Sequence, residues 1–226
     1  MKLVIFDMDQ TLVDFISVHQ QTTRQLFKKF FNVDAGIEEV DFSGRSMAEN
    51  FIELARLKNI PREEIQKNAG QLLETYETLF GQNVPRDGSN HVLPGVKELL
   101  EELAKTNNII VLYTGDSPGV VKHVLASTGL AKYFKFCVYG TEANTRVDMV
   151  KLAMKNAEEM TSAKFQGKDV VIIGDSIRDI DCGKEVNALT IAVATGPHSQ
   201  QELAEHKPNF LFEDLKNYKK VLAAIG

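Results

Sequence analysis

Asp7 and Asp9 stand two residues apart at the end of the apolar run Leu3-Val4-Ile5-Phe6. Far along the chain, Asp175 and Asp179 follow a second such run, Val170-Val171-Ile172-Ile173. A third run, Ile109-Ile110-Val111-Leu112-Tyr113, gives way to Thr114-Gly115-Asp116-Ser117. None of the runs shows polar alternation, so each reads as a strand buried on both faces. Polar residues at the C-terminal ends of such strands lie where open α/β sheets bind their ligands. An Asx turn or a helix cap would account for a lone Asp there. It accounts less well for a pair, because crowded carboxylates repel unless a cation or a shared proton offsets them. If the three strands are neighbours, their ends gather several carboxylates, a hydroxyl and backbone N–H donors able to form an anion-binding nest. Oxygen-only ligands suit a hard cation, and Mg²⁺ is the usual choice when one or two carboxylates act with a phosphate.

The elements that must position these residues follow from hydrophobic periodicity. After the first strand, Phe15 to Phe31 carries Phe15, Val18, Thr22, Leu26 and Phe30 at helical spacing, with Asp14 as N-cap. A polar break at Asp41-Phe42-Ser43-Gly44-Arg45 precedes a second helix with Met47, Phe51, Leu54 and Ala55 on one face. Pro61 opens a third, whose face is Ile65, Ala69, Leu72, Tyr76 and Leu79. The stretch from Gly81 to Asn90 is a return linker. Pro94-Gly95 starts a further helix, running to Thr106, and strands then alternate with helices to the end of the chain. Strands are expected at Ile109–Tyr113, Phe136–Tyr139, Val170–Ile173, Leu189–Val193 and Phe210–Phe212. The fold predicted is α/β, a doubly wound parallel sheet made by residues 1–14 and 90–226, with a helical cap at 15–89. A bundle inserted beside the paired acids would sit over the crevice as a lid, where it excludes water and selects substrates.

Composition narrows the field. A chain of 226 residues supports one sizeable core plus an insertion. The net charge of -5 and the absence of a Lys/Arg block argue against a nucleic-acid or anionic-membrane partner. No apolar run approaches a membrane span, and Met1-Lys2 leads straight into a strand, so a cytoplasmic protein is expected. Cys137 and Cys182 form no metal or disulfide pattern and read as small buried hydrophobes. The five His residues are scattered without ligand spacing and read as structural.

At its acidic strand ends the sequence resembles the haloacid dehalogenase superfamily, and within it the phosphoglycolate-phosphatase-like phosphatases with a helical cap. Asp7-Met8-Asp9-Gln10-Thr11-Leu12-Val13-Asp14, Tyr113-Thr114-Gly115 and Gly174-Asp175-Ser176-Ile177-Arg178-Asp179-Ile180 carry the likeness, in order and each at a strand end. The resemblance implies a sheet ordered 5-4-1-2-3 and an aspartyl-phosphate mechanism. Asp7 would be the nucleophile, and Asp9 would protonate the leaving alcohol and then deprotonate water. Thr114 would bind the phosphoryl oxygens beside Gly115. Mg²⁺ would be held by Asp7, the Asp9 backbone carbonyl and Asp175, with Asp179 completing or orienting the shell.

Two positions depart from the family pattern. The residue after the second Asp is commonly Gly there and is Gln10 here, so a positive φ at that position would strain it. No Lys matches the family's phosphate-binding Lys. Thr145-Arg146-Val147-Asp148 reads as a capping box that puts Arg146 in the first turn of a helix, facing the crevice; Lys151, more than a turn on, is the alternative. A cation at a helix N-terminus opposes the macrodipole and is better explained by an anion it binds. In the cap, Ser43-Gly44-Arg45 is the candidate to reach substrate, while Phe27, Phe30 and Phe51 read as core.

The activity expected is Mg²⁺-dependent hydrolysis of small phosphomonoester metabolites, phosphoglycolate-like or sugar phosphates, by a monomer or homodimer. A phosphomutase of the same fold is the nearest alternative. A 2-haloacid dehalogenase would need no acid at Asp9, and a phospho-accepting receiver would carry no helical insert.

Overall fold

The computed structural model describes residues 1–226. The chain begins with β1 (Leu3–Phe6) and then runs through four helices: α1 (Ile16–Phe31), α2 (Met47–Leu57), α3 (Arg62–Lys67) and α4 (Ala69–Asn83). It continues as α5 (Val96–Ala104), β2 (Ile109–Thr114), α6 (Pro118–Thr128), β3 (Phe136–Tyr139), α7 (Arg146–Thr161) and β4 (Val170–Gly174). It closes with α8 (Ile177–Glu185), β5 (Leu189–Val193), α9 (Gln200–Glu205), β6 (Phe210–Phe212) and α10 (Tyr218–Ile225).

The six strands form one parallel sheet in the order β3-β2-β1-β4-β5-β6. The expected five-strand order is present, with β6 added outside β5. Alternate residues of β1 face opposite layers, and both layers are packed. Val4 and Phe6 join the larger core, with Leu99, Val120 and Val221 from helices on that side. Leu3 and Ile5 join the other, with Met149, Val150 and Cys182 from α7 and α8. Two covered faces explain why the strands read as continuous apolar runs. Register then sets the site. Phe6 pairs with Leu112 on one side and Ile173 on the other, so Asp7, Thr114 and Asp175 emerge at the same edge.

The four helices after β1 enclose an aromatic centre in which Phe27 meets Phe51 edge to face, Phe51 meets Tyr76 tilted and Tyr76 stacks on Phe80. That centre is continuous with the larger core under the sheet. Four local expectations need correction. The single helix expected from Pro61 is two, because Asn68 turns its side-chain amide onto the Glu64 carbonyl (2.7 Å) and competes with the helical ladder. Ala69, expected on the buried face, is exposed after that break. Asp14 is not the N-cap of α1; Phe15 holds that position, and Asp14 Oδ1 accepts from the Ile16 N–H at 3.2 Å. Cys182 is buried as expected but Cys137 is half-buried, and both are free thiols.

Gly95 caps α5 at φ 85, and a β-carbon there would meet the Leu215 carbonyl oxygen at 1.9 Å. A side chain would therefore strain the backbone and drive α5 from the loop before α10. Gly95→Ala should cost about 2–3 kcal/mol of stability, read from urea denaturation midpoints at unchanged m value.

Candidate active site

The first motif turns sharply after β1. Asp7 N–H donates to the Ile173 carbonyl (2.9 Å), which carries the β1–β4 ladder one residue past the strand. Gln10 then takes φ 59, the left-handed conformation that its position calls for. For a residue with a β-carbon this costs about 1–2 kcal/mol. The turn offsets that cost locally: Gln10 N–H reaches the Val13 carbonyl at 2.7 Å, and its side-chain amide donates to Asp14 Oδ1 at 2.7 Å. The Gln10 carbonyl also accepts from Thr195 Oγ1. Asp14 is thus a brace for the acid-bearing turn. Thr11 Oγ1 lies 3.2 Å from Asp175 Oδ1 and 3.4 Å from Asp7 Oδ2, tying the acidic ends of β1 and β4 together.

Arg146 is the first residue of α7, where Thr145 Oγ1 accepts from the Asp148 N–H at 3.1 Å. The Asp148 carboxylate takes the Thr145 hydroxyl rather than its backbone N–H, so the box is half closed. The Arg146 guanidinium is buried. It donates to Asp7 Oδ1 and, through Nε (2.8 Å) and Nη2 (2.6 Å), to Asp179 Oδ1, while its central carbon lies 4.3 Å from the Tyr113 ring centroid. An ammonium could not match this planar contact with acid and ring together. Lys151 is exposed on the same helix.

Asp179 is more fully engaged than its neighbours. Its Oδ2 accepts from Ser176 N (2.9 Å) and Ser176 Oγ (2.6 Å), capping α8, and its Oδ1 accepts from Tyr113 and Arg146. Burial raises its pKa, but the Arg146 charge and these hydrogen bonds outweigh burial and hold it low. Asp7 and Asp175 behave oppositely. Burial, set against Arg146 and reinforced by Asp179 and Asp9, pushes Asp7 up to about 7. Burial with the Asp7 and Asp179 charges pushes Asp175 well above the usual range. One oxygen from each of Asp7, Asp175 and Asp179 lies within 4.8 Å of the others, a set able to hold a metal ion. Carboxylates with raised pKa packed this closely call for positive charge beyond Arg146, so the residues present fit a hard divalent cation.

Beside this set lies a second one that the sequence did not disclose. His19, read as structural, projects from α1 into the site: Nε2 is 3.5 Å from Asp9 Oδ1 and 3.9 Å from Asp116 Oδ2. Its Nδ1 meets the Tyr76 hydroxyl of α4 at 2.8 Å. Burial would lower the imidazole pKa, but the Asp116 and Asp9 charges outweigh it and push His19 up to about 9. Burial likewise raises Asp9, and the adjacent imidazolium overcomes it, holding Asp9 low. Asp116 is raised well above the usual range by burial, against His19 and with Asp9. One signal for His19 was available: it lies on the apolar stripe of α1, four residues after Phe15 and three before Thr22. A polar residue on a buried stripe needs a partner.

The remaining expected residues are placed as follows. Thr114 is buried against the cavity, and its Oγ1 accepts from Asp116 N–H (3.2 Å), so that donor is not free for an anion nest. Gly115 has no room for a side chain, since a β-carbon would meet the Arg45 carbonyl oxygen at 2.1 Å; its own carbonyl accepts from Met47 N–H at 3.1 Å. Arg45 lines the cavity with its guanidinium 3.7 Å from Asp41. Arg178 of α8 reaches the same Asp41 (3.0 Å) and the Ser43 carbonyl, fastening the loop before α2 to α8. Phe27 is core as expected, whereas Phe51 also faces the cavity. That cavity is bounded by Asp7, Asp9, Thr114, Arg146 and Asp175 from the core and by α1, α2 and α4 from the insert.

Residues 4–193 match the family model described as haloacid dehalogenase-like hydrolase. The chain is 25% identical to pyrophosphatase PpaX of Oceanobacillus iheyensis, over 96% of this chain and 94% of that protein. It is 24% identical to a phosphoglycolate phosphatase of Vibrio parahaemolyticus, over 98% of this chain and 96% of that one. A solved β-phosphoglucomutase from Clostridium difficile superposes with a TM-score of 0.76 at 19% identity, covering 100% of this chain and 97% of its own. At that identity the likeness is one of fold. No helix here is long and apolar enough to cross a membrane.

In metal-free protein, the His19 ring should titrate near pH 9 by NMR rather than near its ordinary 6.5. Because the folded pKa lies above the unfolded one, its contribution to stability is complete below about pH 6.5 and lost as pH rises through about 9. His19→Gln should abolish that part of the stability–pH profile; a ring titrating at 6.5 would contradict the cluster.

Proposed function

Because the chain belongs to the haloacid dehalogenase-like hydrolase family, we propose that it is a Mg²⁺-dependent phosphatase of small phosphomonoesters. The observation that supports this most is the convergence of Asp7, Thr114, Arg146 and Asp175 on one cavity, with Asp9 beside them. Asp7 is the nucleophile: its carboxylate oxygen bonds to phosphorus as the bond from phosphorus to the leaving oxygen breaks, giving an aspartyl-phosphate. Asp9 gives a proton to that oxygen and then takes one from the water that attacks phosphorus and frees Asp7. His19 Nε2 faces the Asp9 carboxylate from 3.5 Å away. Thr114 and Arg146 hold the phosphoryl oxygens, with Gly115 and Arg45 bounding the space around the substrate. The Asp7 and Asp175 carboxylates with the Asp9 backbone carbonyl would hold Mg²⁺, and Asp179 orients Arg146 toward Asp7. The cation supplies the charge that lets an anionic nucleophile approach a phosphate dianion.

Hydrolysis of p-nitrophenyl phosphate should require Mg²⁺, cease with EDTA and be abolished in Asp7→Asn. Metal-independent turnover, or a fully active Asp7→Asn, would overturn the mechanism. Arg146→Lys, which keeps the charge but loses the planar fork, should lower kcat/KM by about ten- to a hundredfold.

A further inference from the structure

His19 is the one side-chain cation facing Asp9 and Asp116, and it reaches neither closely enough for a hydrogen bond. Its Nε2 stands 3.5 Å from Asp9 Oδ1 and 3.9 Å from Asp116 Oδ2. A hydrogen bond from nitrogen to oxygen spans about 2.7–3.2 Å. His19 is 8% exposed, and its Nε2 and Asp9 Oδ1 are both buried without a hydrogen-bond partner. With Asp116 they nevertheless share one space, their ligand atoms all within 4.8 Å of one another. Buried polar atoms left short of partners cost stability and call for whatever completes them.

Their spacing is closer to that of ligands around a small metal ion. Bonds of about 2.0–2.1 Å in a tetrahedron set neighbouring donors about 3.3–3.4 Å apart. The other side of the ring is prepared in the same sense. Nδ1 meets the Tyr76 hydroxyl at 2.8 Å, and a ring N–H given to Tyr76 turns the Nε2 lone pair toward the two carboxylates. Metal-bound histidines are oriented by such a contact. Donor type then chooses the metal. An imidazole nitrogen with carboxylate oxygens suits Zn²⁺, whereas the all-oxygen set of Asp7, Asp175 and Asp179 suits Mg²⁺. Three protein ligands leave a fourth position to water.

We propose that His19 Nε2, Asp9 Oδ1 and Asp116 Oδ2 form a second metal site, for a transition-metal cation such as Zn²⁺, separate from the all-oxygen set. The ion enters as the Nε2 proton leaves to solvent. Its binding does not depend on the phosphatase reading. Under that reading, a filled site takes the Asp9 carboxylate out of proton transfer, so Zn²⁺ is an inhibitor.

The probe is Zn²⁺ alone, added to the full chain in excess Mg²⁺. Equilibrium dialysis should give one tightly bound Zn²⁺ per chain, retained in Asp175→Asn and lost in His19→Gln. Tyr76→Phe keeps all three ligands but frees the ring, and should weaken binding about ten- to a hundredfold. In the unsubstituted protein, one equivalent of Zn²⁺ should shift the Nε2 resonance of His19 and leave those of His91, His123, His198 and His206 in place. Zn²⁺ held as tightly by His19→Gln, Zn²⁺ lost in Asp175→Asn, or an unmoved His19 resonance would each overturn the site. Hydrolysis of p-nitrophenyl phosphate should be lost on saturation with Zn²⁺ and not restored by more Mg²⁺. Undiminished turnover with the ion bound at His19 would overturn the role given to Asp9 and leave the metal site standing.

Discussion

Five carboxyl groups crowd the C-terminal edge of the sheet, and the rest of the molecule is arranged around making that tolerable. Asp7, Asp175 and Asp179 form one group, Asp9 and Asp116 another, and Arg146 and His19 are the cations paired with them. Mutual repulsion in a buried site would destroy a marginally stable fold if it were uncompensated. The compensation differs between the groups. Around Asp179 it is geometric, with donors from Ser176, Tyr113 and Arg146 occupying both oxygens. Around Asp9 and Asp116 it is a charged imidazole supplied by a helix of the insert. Asp7, Asp175 and Asp116 all keep raised pKa values, and of these Asp7 and Asp175, which have no imidazolium beside them, retain a demand for a further cation.

Much of this was readable in the chain because apolar runs with abrupt acidic ends are a strong local signal. Strands β3, β5 and β6 fall on the residues that the pattern predicts, and the sheet order follows the family likeness. Arg146 was legible for a similar reason: a cation in the first turn of a helix is unfavourable unless an anion answers it. His19, Asp116 and Tyr76 were not legible as a set. Their meeting depends on how α1 and α4 lie over the sheet, which no periodicity encodes. The break at Asn68 was missed because apolar spacing continues through it, while the competing hydrogen bond belongs to a polar side chain.

The helical insert and the sheet are joined at the turn that carries Thr114 and Gly115. Met47 N–H caps the Gly115 carbonyl, the Arg45 carbonyl occupies the space a side chain would take, and Arg178 holds Ser43 and Asp41. Cavity-lining residues of the loop before α2 are therefore placed by backbone contacts to the segment that carries Thr114 and Gly115. Precision in one region becomes precision in the other.

His19 rides on one body and both its acids on the other. Were α1 to swing away from the sheet by even a few ångströms, the imidazolium would part from Asp9 and Asp116 and lose the field that keeps it charged. Position and proton inventory are in this way a single variable, so that an open cleft and a closed one differ in acidity as well as in shape.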